Sequence, residues 1–258
     1  MGISKFFLET AAVADVELRK LIRDPTELVS RAVQPVLWLT VFGQVMAQVR
    51  GIHSGPGSYL VFITPGILAQ SVLFSAIFYG IAVIWERDLG VVHKQLVSPA
   101  YRSALVLGKA LSAGFRGLVQ CGVIYALAAL MHLTLRYEPL AVVAVLFTVM
   151  LGSALFSTFS LIIACIVKTR ERFMGVGQVL TMPLFFASSA IYPLDLMPGW
   201  LKMVARFNPL TYLVDALRSL MVPGEWVLAA VVTDLGILTA TALLLMAIAV
   251  RLYPTLVQ

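Results

Sequence analysis

Six long apolar runs alternate with short polar segments along the chain, and each run is long enough to cross a bilayer. A helix rises about 1.5 Å per residue, so about 20 apolar residues cover the roughly 30 Å hydrocarbon core. The runs are Ala32–Val49, Tyr59–Ile84, Leu105–Leu133, Pro139–Val167, Phe173–Tyr192 and Trp226–Val250. Gly51–Ser58, rich in Gly and Pro, is predicted to be the loop between the first two. The pattern therefore predicts an all-α, polytopic membrane protein with six transmembrane helices.

The first 25 residues follow a different pattern, because charges interrupt apolar side chains that recur at helical spacing. The apolar positions are Ile3, Phe7, Ala11, Ala14, Leu18 and Leu21. A helix of this kind suits the headgroup plane, and the Asp24-Pro25 step predicts its end. We expect an amphipathic interfacial helix over 1–25 and a membrane domain over 26–258. The alternative is a surface helix packed on a soluble domain, but no such domain is visible in the sequence.

The polar segment Glu86–Pro99, between the second and third runs, is predicted to form a short charged helix that Ser98-Pro99 ends. Its apolar residues at helical spacing can form one stripe. They are Leu89, Val92, Leu96 and Val97. A rigid helix that joins two spans can transmit a push from a soluble partner, so this segment is the best candidate for a docking element. The alternative is an ordinary solvated loop.

A polar and aromatic island, Arg206–Arg218, separates the fifth and sixth runs. It begins with the helix-breaking pair Asn208-Pro209 and continues as a helix-like segment. Because each of its neighbours can span a bilayer, the island must lie at a membrane surface or dip back in from one. We expect it on the outer face.

Composition supports the membrane class, and charge sets the orientation. The chain has 258 residues, 60% hydrophobic and 12% charged, with mean hydropathy +0.94, whereas soluble domains are about 45–50% apolar and about 25% charged. The net charge of +6 comes from residues at the ends of apolar runs, which indicates topology rather than nucleic-acid binding. With both termini cytoplasmic, 13 of the 19 Lys and Arg residues lie inside and five outside, while Arg116 falls within a span. The positive-inside rule therefore predicts this orientation.

The enzyme motifs HExxH, CxxC and GxSxG are absent from the sequence. The nearest approach to a P-loop, Ser103–Ala110, has Ser103 in place of the first glycine and Ala110 in place of the magnesium-binding residue. We therefore expect a transport subunit that is not an enzyme, holds no metal or cofactor, and relies on another chain for ATP hydrolysis. Cys121 and Cys165 fall inside apolar runs and are predicted to be packing residues.

Two ionisable residues lie inside spans, Arg116 in the third and Asp234 in the sixth. Such residues are functional candidates; the alternatives are that Arg116 snorkels to the inner surface and Asp234 bonds a neighbouring helix. A proton-coupled carrier needs more acidic relay residues, which disfavours secondary transport. Candidate pathway residues are aromatic or hydroxyl-bearing side chains in spans one, two and five, each with packing or lipid contact as the alternative. They are Trp38, Phe42, Phe74, Phe78, Tyr79, Phe185, Phe186, Ser188 and Ser189.

Two motifs in the chain are similar to those of a known family. The first lies between Thr181 and Arg218 and matches at Ser188, Ala190, Met197, Pro198, Pro209, Leu210, Tyr212 and Arg218. The second is the glutamate-led loop after the second run, which matches at Glu86, Arg87, Asp88, Gly90, Leu96, Ser98 and Pro99. Over nearly its whole length the chain resembles ABC-2 transporter permeases, the membrane subunits of type-2 ATP-binding-cassette (ABC) exporters. The most similar subgroup is the daunorubicin/doxorubicin-resistance type, which is related to nodulation-factor and polysaccharide export permeases.

The resemblance implies partners and residue roles that the hydrophobic periodicity of the sequence does not indicate. Two permease chains, identical or paralogous, would work with two cytoplasmic ATPase subunits that bind ATP and Mg²⁺. Glu86–Pro99 would be the coupling helix, and Pro193–Glu225 would hold short re-entrant helices that close the pathway outside. The outer-gate residues would be Asn208, Pro209, Tyr212, Asp215 and Arg218. The expected function is export of an amphipathic drug-like or lipid-linked substrate across a bacterial inner (cytoplasmic) membrane; glycan export within the family and an ion-gradient-driven secondary transporter are the alternatives.

Overall fold

Helices account for all regular secondary structure in the part of the chain that the computed structural model describes, residues 2–23, 25–49, 58–98, 100–167 and 169–257. A π-helical stretch, Trp38–Phe42, joins the second helix to the third, and 3-10 turns cover Leu194–Leu196 and Tyr253–Val257. The α-helices are α1 Gly2–Arg23, α2 Pro25–Leu37, α3 Gly43–Ala47, α4 Tyr59–Asp88, α5 Val91–Val97, α6 Arg102–Leu130, α7 Pro139–Ile166, α8 Arg170–Phe186, α9 Gly199–Phe207, α10 Pro209–Met221 and α11 Leu228–Leu252. The all-α prediction is confirmed for these residues.

Among the residues that the structure describes, four helices are long and apolar enough to cross a membrane: α4, α6, α7, and α11 with the 3-10 turn that follows it. They correspond to the second, third, fourth and sixth predicted spans. The ends of the four α-helices, without that 3-10 turn, lie within four residues of the predicted ones. The lengths of the uncharged runs therefore predicted the positions of these four helices to within a few residues.

The other two predicted spans are represented by shorter helices. The first is divided into α2, the π-helical stretch and α3, with Pro35 inside α2. The fifth, α8, ends at Phe186 rather than at the predicted Tyr192. A side chain helps to end it, since the Ser188 hydroxyl donates to the Phe185 carbonyl at 2.7 Å and satisfies an acceptor that a continuing helix would use. The count of six spans stays a prediction.

The central helix is α4, which is buried over most of its length and packs against α6, α7, α8 and α10. It approaches α7 closely at Gly80, whose N–H donates to the Ser160 hydroxyl at 3.0 Å, while that hydroxyl donates to the Ile77 carbonyl. A Cβ at Gly80 would collide with Ser160 and with the Phe173 ring. A small residue and a hydroxyl thus allow the two backbones to pack together.

The N-terminal helix α1 begins and ends close to the predicted bounds, but it packs along α6. Its buried face holds Thr10, Ala14, Glu17 and Leu21, whereas Phe7 of the predicted apolar face is 64% exposed. An exposed Phe7 is compatible with contact with lipid, so the interfacial apolar face stays a prediction. Glu17 is buried on the side of the helix that packs along α6 because its carboxylate has cationic partners inside the bundle.

Three predicted features fall partly outside the described residues. They are Asp24 at the end of the predicted N-terminal helix, residues 51–57 of the predicted loop, and Pro99 at the end of the coupling segment. Ser58, the last residue of that loop, is described. Its hydroxyl accepts a hydrogen bond from the Val61 N–H at 3.4 Å, so α4 begins at an N-cap.

Candidate functional site

The predicted coupling segment consists of two pieces joined by a glycine turn. The long helix α4 continues to Asp88, and α5 begins only at Val91. Gly90, between them, has φ +72°, a left-handed conformation that glycine adopts at little cost. The prediction of one continuous helix from Glu86 was therefore wrong, because Gly90 ends the helix that Glu86 belongs to. Arg87 and Asp88 form the end of that same helix.

The apolar residues of the coupling segment divide between core and surface. Val92 is fully buried, and Leu96 packs against the same core. Leu89 is 71% exposed and Val97 is 77% exposed. The predicted single stripe was wrong, because the turn at Gly90 separates Leu89 from the helix that carries the others. The segment therefore presents two large apolar side chains that a partner could cover.

Glu86 points into the bundle, where two lysines neutralise it. One carboxylate oxygen accepts a hydrogen bond from Lys20 Nζ of α1 at 2.6 Å, and the other accepts one from Lys109 Nζ of α6. The side chains of Glu86 and Lys109 are only 11% and 3% exposed. Burial alone would lower the pKa of Lys20, but hydrogen bonds to Glu17 and Glu86 outweigh it, so the pKa is raised. Glu86 thus joins α1, α4 and α6.

Arg116 belongs to the same buried group, so the snorkelling interpretation was wrong. Its guanidinium lies 3.9 Å from Glu17 Oε2, donates to the Ser112 hydroxyl at 2.8 Å and stands over the Tyr79 ring, 4.8 Å from the centroid. Buried charges persist when they are paired. The group, here called the ion cluster, comprises Glu17, Lys20, Glu86, Lys109 and Arg116.

Asp88 connects the end of α4 to the start of α8. Its carboxylate accepts hydrogen bonds from Arg170 at 2.7 Å and from Arg87 at 2.8 Å. The Arg170 guanidinium also lies 3.6 Å from the centroid of the Trp85 ring. These groups are partly exposed, so each ion pair contributes about 0–1 kcal/mol. These ion pairs therefore contribute little to stability, but they hold the first turn of α8 against the coupling segment.

At the opposite end of the bundle, Asn208 connects α8 to α10. Its side-chain oxygen accepts a hydrogen bond from the Leu210 N–H at 3.0 Å and caps α10. Its amide donates to the carbonyls of Leu184 at 2.6 Å and Ala187 at 2.9 Å. Pro209 occupies the first helical position, where no N–H is needed. Asn208 thus begins one helix and closes another.

Asp215 and Arg218 meet inside this end of the bundle. Asp215 Oδ1 accepts hydrogen bonds from the Ser189 hydroxyl at 2.6 Å and from Arg218 at 3.2 Å. Arg218 also donates to the Ser189 carbonyl at 2.6 Å and lies 4.0 Å from the Phe62 ring centroid. Burial raises the pKa of Asp215, although Arg218 and Ser189 act in the opposite direction. We call Ser189, Asp215 and Arg218 the α10 cluster. Asp234 of α11 lies close enough to this cluster for its charge to interact with that of Asp215.

The loop that carries Ser189 is held against α4. The Tyr59 hydroxyl donates to the Ile191 carbonyl at 3.0 Å. A Cβ at Gly66 would lie 2.8 Å from the Ala190 carbonyl carbon and closer still to its oxygen. Tyr212, by contrast, donates to the Arg206 carbonyl at 2.6 Å, so this predicted gate residue is not part of the α10 cluster.

Four of the nine pathway candidates meet where the α2–α3 segment approaches the end of α8. The ring centroids of Trp38 and Phe42 are 4.6 Å apart, and those of Trp38 and Phe185 are 5.6 Å apart. Phe186 follows, 5.4 Å from Phe185 and 47% exposed. An open apolar groove of about 450 Å³ lies along the first segment, lined by Leu37, Trp38, Val41, Phe42 and Val45.

Two further pathway candidates, Phe78 and Ser188, have local contacts of their own. Phe78 lies on α4 beside Phe74, with centroids 6.2 Å apart. Ser188 is fully buried, and its hydroxyl bonds to the backbone that ends α8. Its contacts give it a structural role at that helix end.

Sequence reasoning missed several residues of these clusters. Glu17, Lys20 and Lys109 resembled surface charges or topology determinants, yet they hold Glu86 and Arg116. A signal was present, because four polar residues of α6 recur every three or four positions, and these four are buried. They are Lys109, Ser112, Arg116 and Gln120.

Comparisons with known proteins identify the family. The profile described as ABC-2 type transporter matches residues 9–222. The chain is 29% identical over 219 residues to the putative transport permease ycf38 of Cyanophora paradoxa, which covers 84% of this chain and 75% of that protein. It is 23% identical over 204 residues to the daunorubicin resistance ABC transporter permease protein DrrB1 of Streptomyces coeruleorubidus (78% and 71% covered). It is 24% identical over 196 residues to nodulation protein J of Rhizobium leguminosarum bv. trifolii (75% and 73% covered). Since the profile covers most of its length, the chain belongs to the ABC-2 type transporter family.

Proposed function

We propose that the chain is the transmembrane permease subunit of an ATP-driven exporter in a bacterial cytoplasmic membrane, with both termini cytoplasmic. Family membership makes it a transport permease. Relatives from Streptomyces coeruleorubidus and Mycobacterium tuberculosis are named as daunorubicin and doxorubicin resistance permeases, which supports an amphipathic, drug-like or lipid-linked substrate. A separate ATPase chain would bind ATP and Mg²⁺.

The observation that carries this proposal is the exposed surface of the coupling segment. Leu89 and Val97 are both more than two-thirds exposed, although Val92 on the reverse side of α5 is buried. This surface lies at the same end of the bundle as the Arg87–Asp88 pair. An apolar contact with charges beside it is a suitable surface for a soluble partner.

A push on the coupling segment has a continuous route to the opposite end of the bundle. The Asp88–Arg170 pair joins the end of α4 to the start of α8. The far end of α8 is joined to α10 through Asn208. We propose that closure of the partner ATPases moves α8 and that α10 then opens or closes the exit.

A second permease copy fits the exposed apolar face of the first span. Every fourth residue of this segment is about half exposed: Val33, Leu37, Val41 and Val45. The neighbouring helix α8 exposes Val179, Met182 and Phe186. We propose that these two faces meet their counterparts in the dimer. Oxidative cross-linking of Val41→Cys should then give a covalent dimer, whereas Val232→Cys on α11 should not.

The docking proposal is tested by placing charge on the exposed apolar pair. The double variant Leu89→Glu/Val97→Glu should reduce the ATPase co-purifying from the native host by at least about tenfold, because an unpaired charge is costly to bury. Leu130→Glu is the matched control, since Leu130 is 78% exposed at the opposite end of α6. Glu86 is unsuited to this test because its replacement breaks the ion cluster.

The result that would overturn the proposal is also defined. Unchanged ATPase recovery in the double variant would remove the docking role of this surface. A chain that purifies without an ATPase and transports in liposomes under an ion gradient would favour a secondary transporter instead.

A further inference from the structure

The C-terminal 3-10 turn packs behind the coupling segment. Tyr253, its first residue, is fully buried, and its hydroxyl donates to Gln95 Oε1 of α5 at 2.9 Å. The two residues are 158 positions apart in sequence. A long-range hydrogen bond thus joins the end of the last helix to the proposed docking element.

Apolar packing surrounds this hydrogen bond. Tyr253 and Leu256 share one buried cluster with Val92, and Leu96 packs against the same cluster. The buried side of α5 therefore rests on the C-terminal turn as well as on α4. Contact from a partner on the exposed side would press α5 against this support.

The support is continuous with the opposite end of the bundle. Tyr253 follows directly on α11, a 25-residue helix that is about 37 Å long at 1.5 Å per residue. Near its start, α11 packs against α10, where Val231 and Leu238 are buried. The same helix thus contacts the proposed docking segment at one end and the proposed outer gate at the other.

We propose that Tyr253 is a positioning residue that holds α5 in the orientation required for ATPase docking. The proposal rests on the proposed function, and it concerns a segment beyond residue 222, where the family profile ends. Tyr253 acts through Gln95 and does not touch the partner itself. Its hydroxyl restricts α5, and Val97 on α5 therefore keeps a defined position relative to Leu89 at the end of α4.

The geometry defines a four-variant test. Tyr253→Phe keeps the ring and removes the donor, Gln95→Leu removes the acceptor, and Gln95→Glu keeps an acceptor as the conservative control. One neutral hydrogen bond shifts a local equilibrium by about two- to tenfold. A double-mutant cycle isolates this bond, because Tyr253→Phe/Gln95→Leu should then behave like either single variant.

The first readout is the mobility of a spin label on α5 in lipid nanodiscs, which needs no ATPase. The label is attached at Val97→Cys, which is selective because Cys121 and Cys165 are buried. The mobile fraction should rise about two- to tenfold in Tyr253→Phe and Gln95→Leu, without a further rise in the double variant, and should stay at the wild-type level in Gln95→Glu. A label at Val232→Cys on α11 should not respond.

The second readout is MgATP hydrolysis by the complex purified with its ATPase subunit. Hydrolysis should fall in Tyr253→Phe and Gln95→Leu and return in Gln95→Glu. Unchanged label mobility would overturn the positioning of α5, and changed mobility with unchanged hydrolysis would overturn its role in docking. If no ATPase accompanies the unsubstituted chain, the proposed function fails, while label mobility still decides whether Tyr253 positions α5.

Discussion

The closest backbone approach between α4 and the loop at the end of α8 gives the sharpest stability prediction. At Gly66 an added Cβ would lie 2.8 Å from the carbonyl carbon and the Cα of Ala190. These are backbone atoms, so no side-chain rotation relieves the collision. The Gly66→Ala variant must shift either α4 or the loop that carries Ser189 of the α10 cluster.

The size of the loss in unfolding free energy is estimated by comparing Gly66→Ala with the matched variant Gly122→Ala. Gly122 lies inside α6, and a Cβ there meets nothing within 4 Å. Replacing Gly by Ala inside a helix gains about 1 kcal/mol at either site, so this gain cancels between the variants. The remaining difference is the strain at Gly66, about 1–3 kcal/mol for overpacking.

The assay is thermal unfolding of the purified chain in detergent, in which size-exclusion chromatography measures the folded fraction that remains after heating. A difference of about 2 kcal/mol corresponds to about 4–8 °C for a chain of this size, with Gly66→Ala the less stable variant and Gly122→Ala at or above the unsubstituted chain. Amide exchange of the peptide around Ala190 should also become faster in Gly66→Ala. Equal midpoints for the two variants would refute the close approach.

Three further predictions use the same unfolding assay. Replacing Glu86 by Gln leaves the buried Lys109 without its carboxylate partner and should destabilise the fold by about 3–5 kcal/mol. The double variant Glu86→Gln/Lys109→Met should recover part of this loss. If the losses of the two single variants simply add in the double variant, the pairing is contradicted. Asn208→Ala should cost about 1–3 kcal/mol, because it removes the N-cap and two amide hydrogen bonds, and Asn208→Ser, which keeps a cap acceptor, should fall between it and the unsubstituted chain. Burial lowers the pKa of Lys20, but hydrogen bonds to Glu17 and Glu86 outweigh it and raise the pKa above its ordinary 10.5. Charged Lys20 therefore contributes its full share to the stability of the fold below pH 10.5. This contribution is lost as the pH rises through the higher pKa of the folded state. As the pH rises from 10.5 through the raised pKa of Lys20, the unsubstituted chain should therefore lose more stability than Lys20→Met, and parallel stability curves would contradict the assignment.

Hydrophobic length predicted the helices well, because the cost of exposing backbone in a bilayer leaves few alternatives. The bounds of α4, α6, α7 and α11 follow from where uncharged runs begin and end. Periodicity alone could not predict the end of α8. That end depends on the amide of Asn208, which lies more than 20 residues further along the chain.

The candidate sites were predicted less completely than the helices. The motif that begins at Glu86 was found, but its orientation was not, because the two lysines that bury the carboxylate come from α1 and α6. Likewise, Arg218 and Ser189 were both singled out, but their contact with each other was not predicted. Contacts between distant segments depend on packing, which a single sequence does not encode as a local pattern.

The contacts at the two ends of α4 restrict which parts of the molecule can move. One end is fixed by the close approach of Gly66 to Ala190, and the other by the buried pairing of Glu86 with Lys109. A helix of 30 residues, held at both ends and buried between them, is a rigid reference for the rest of the bundle. Motion is therefore expected where few contacts restrain the backbone, as at Gly90, where no atom lies within 4 Å of an added Cβ. A coupling segment that turns about Gly90 while α4 stays fixed would transmit its displacement through α11, because α5 contacts Tyr253 at one end of that helix and α10 packs against the other end.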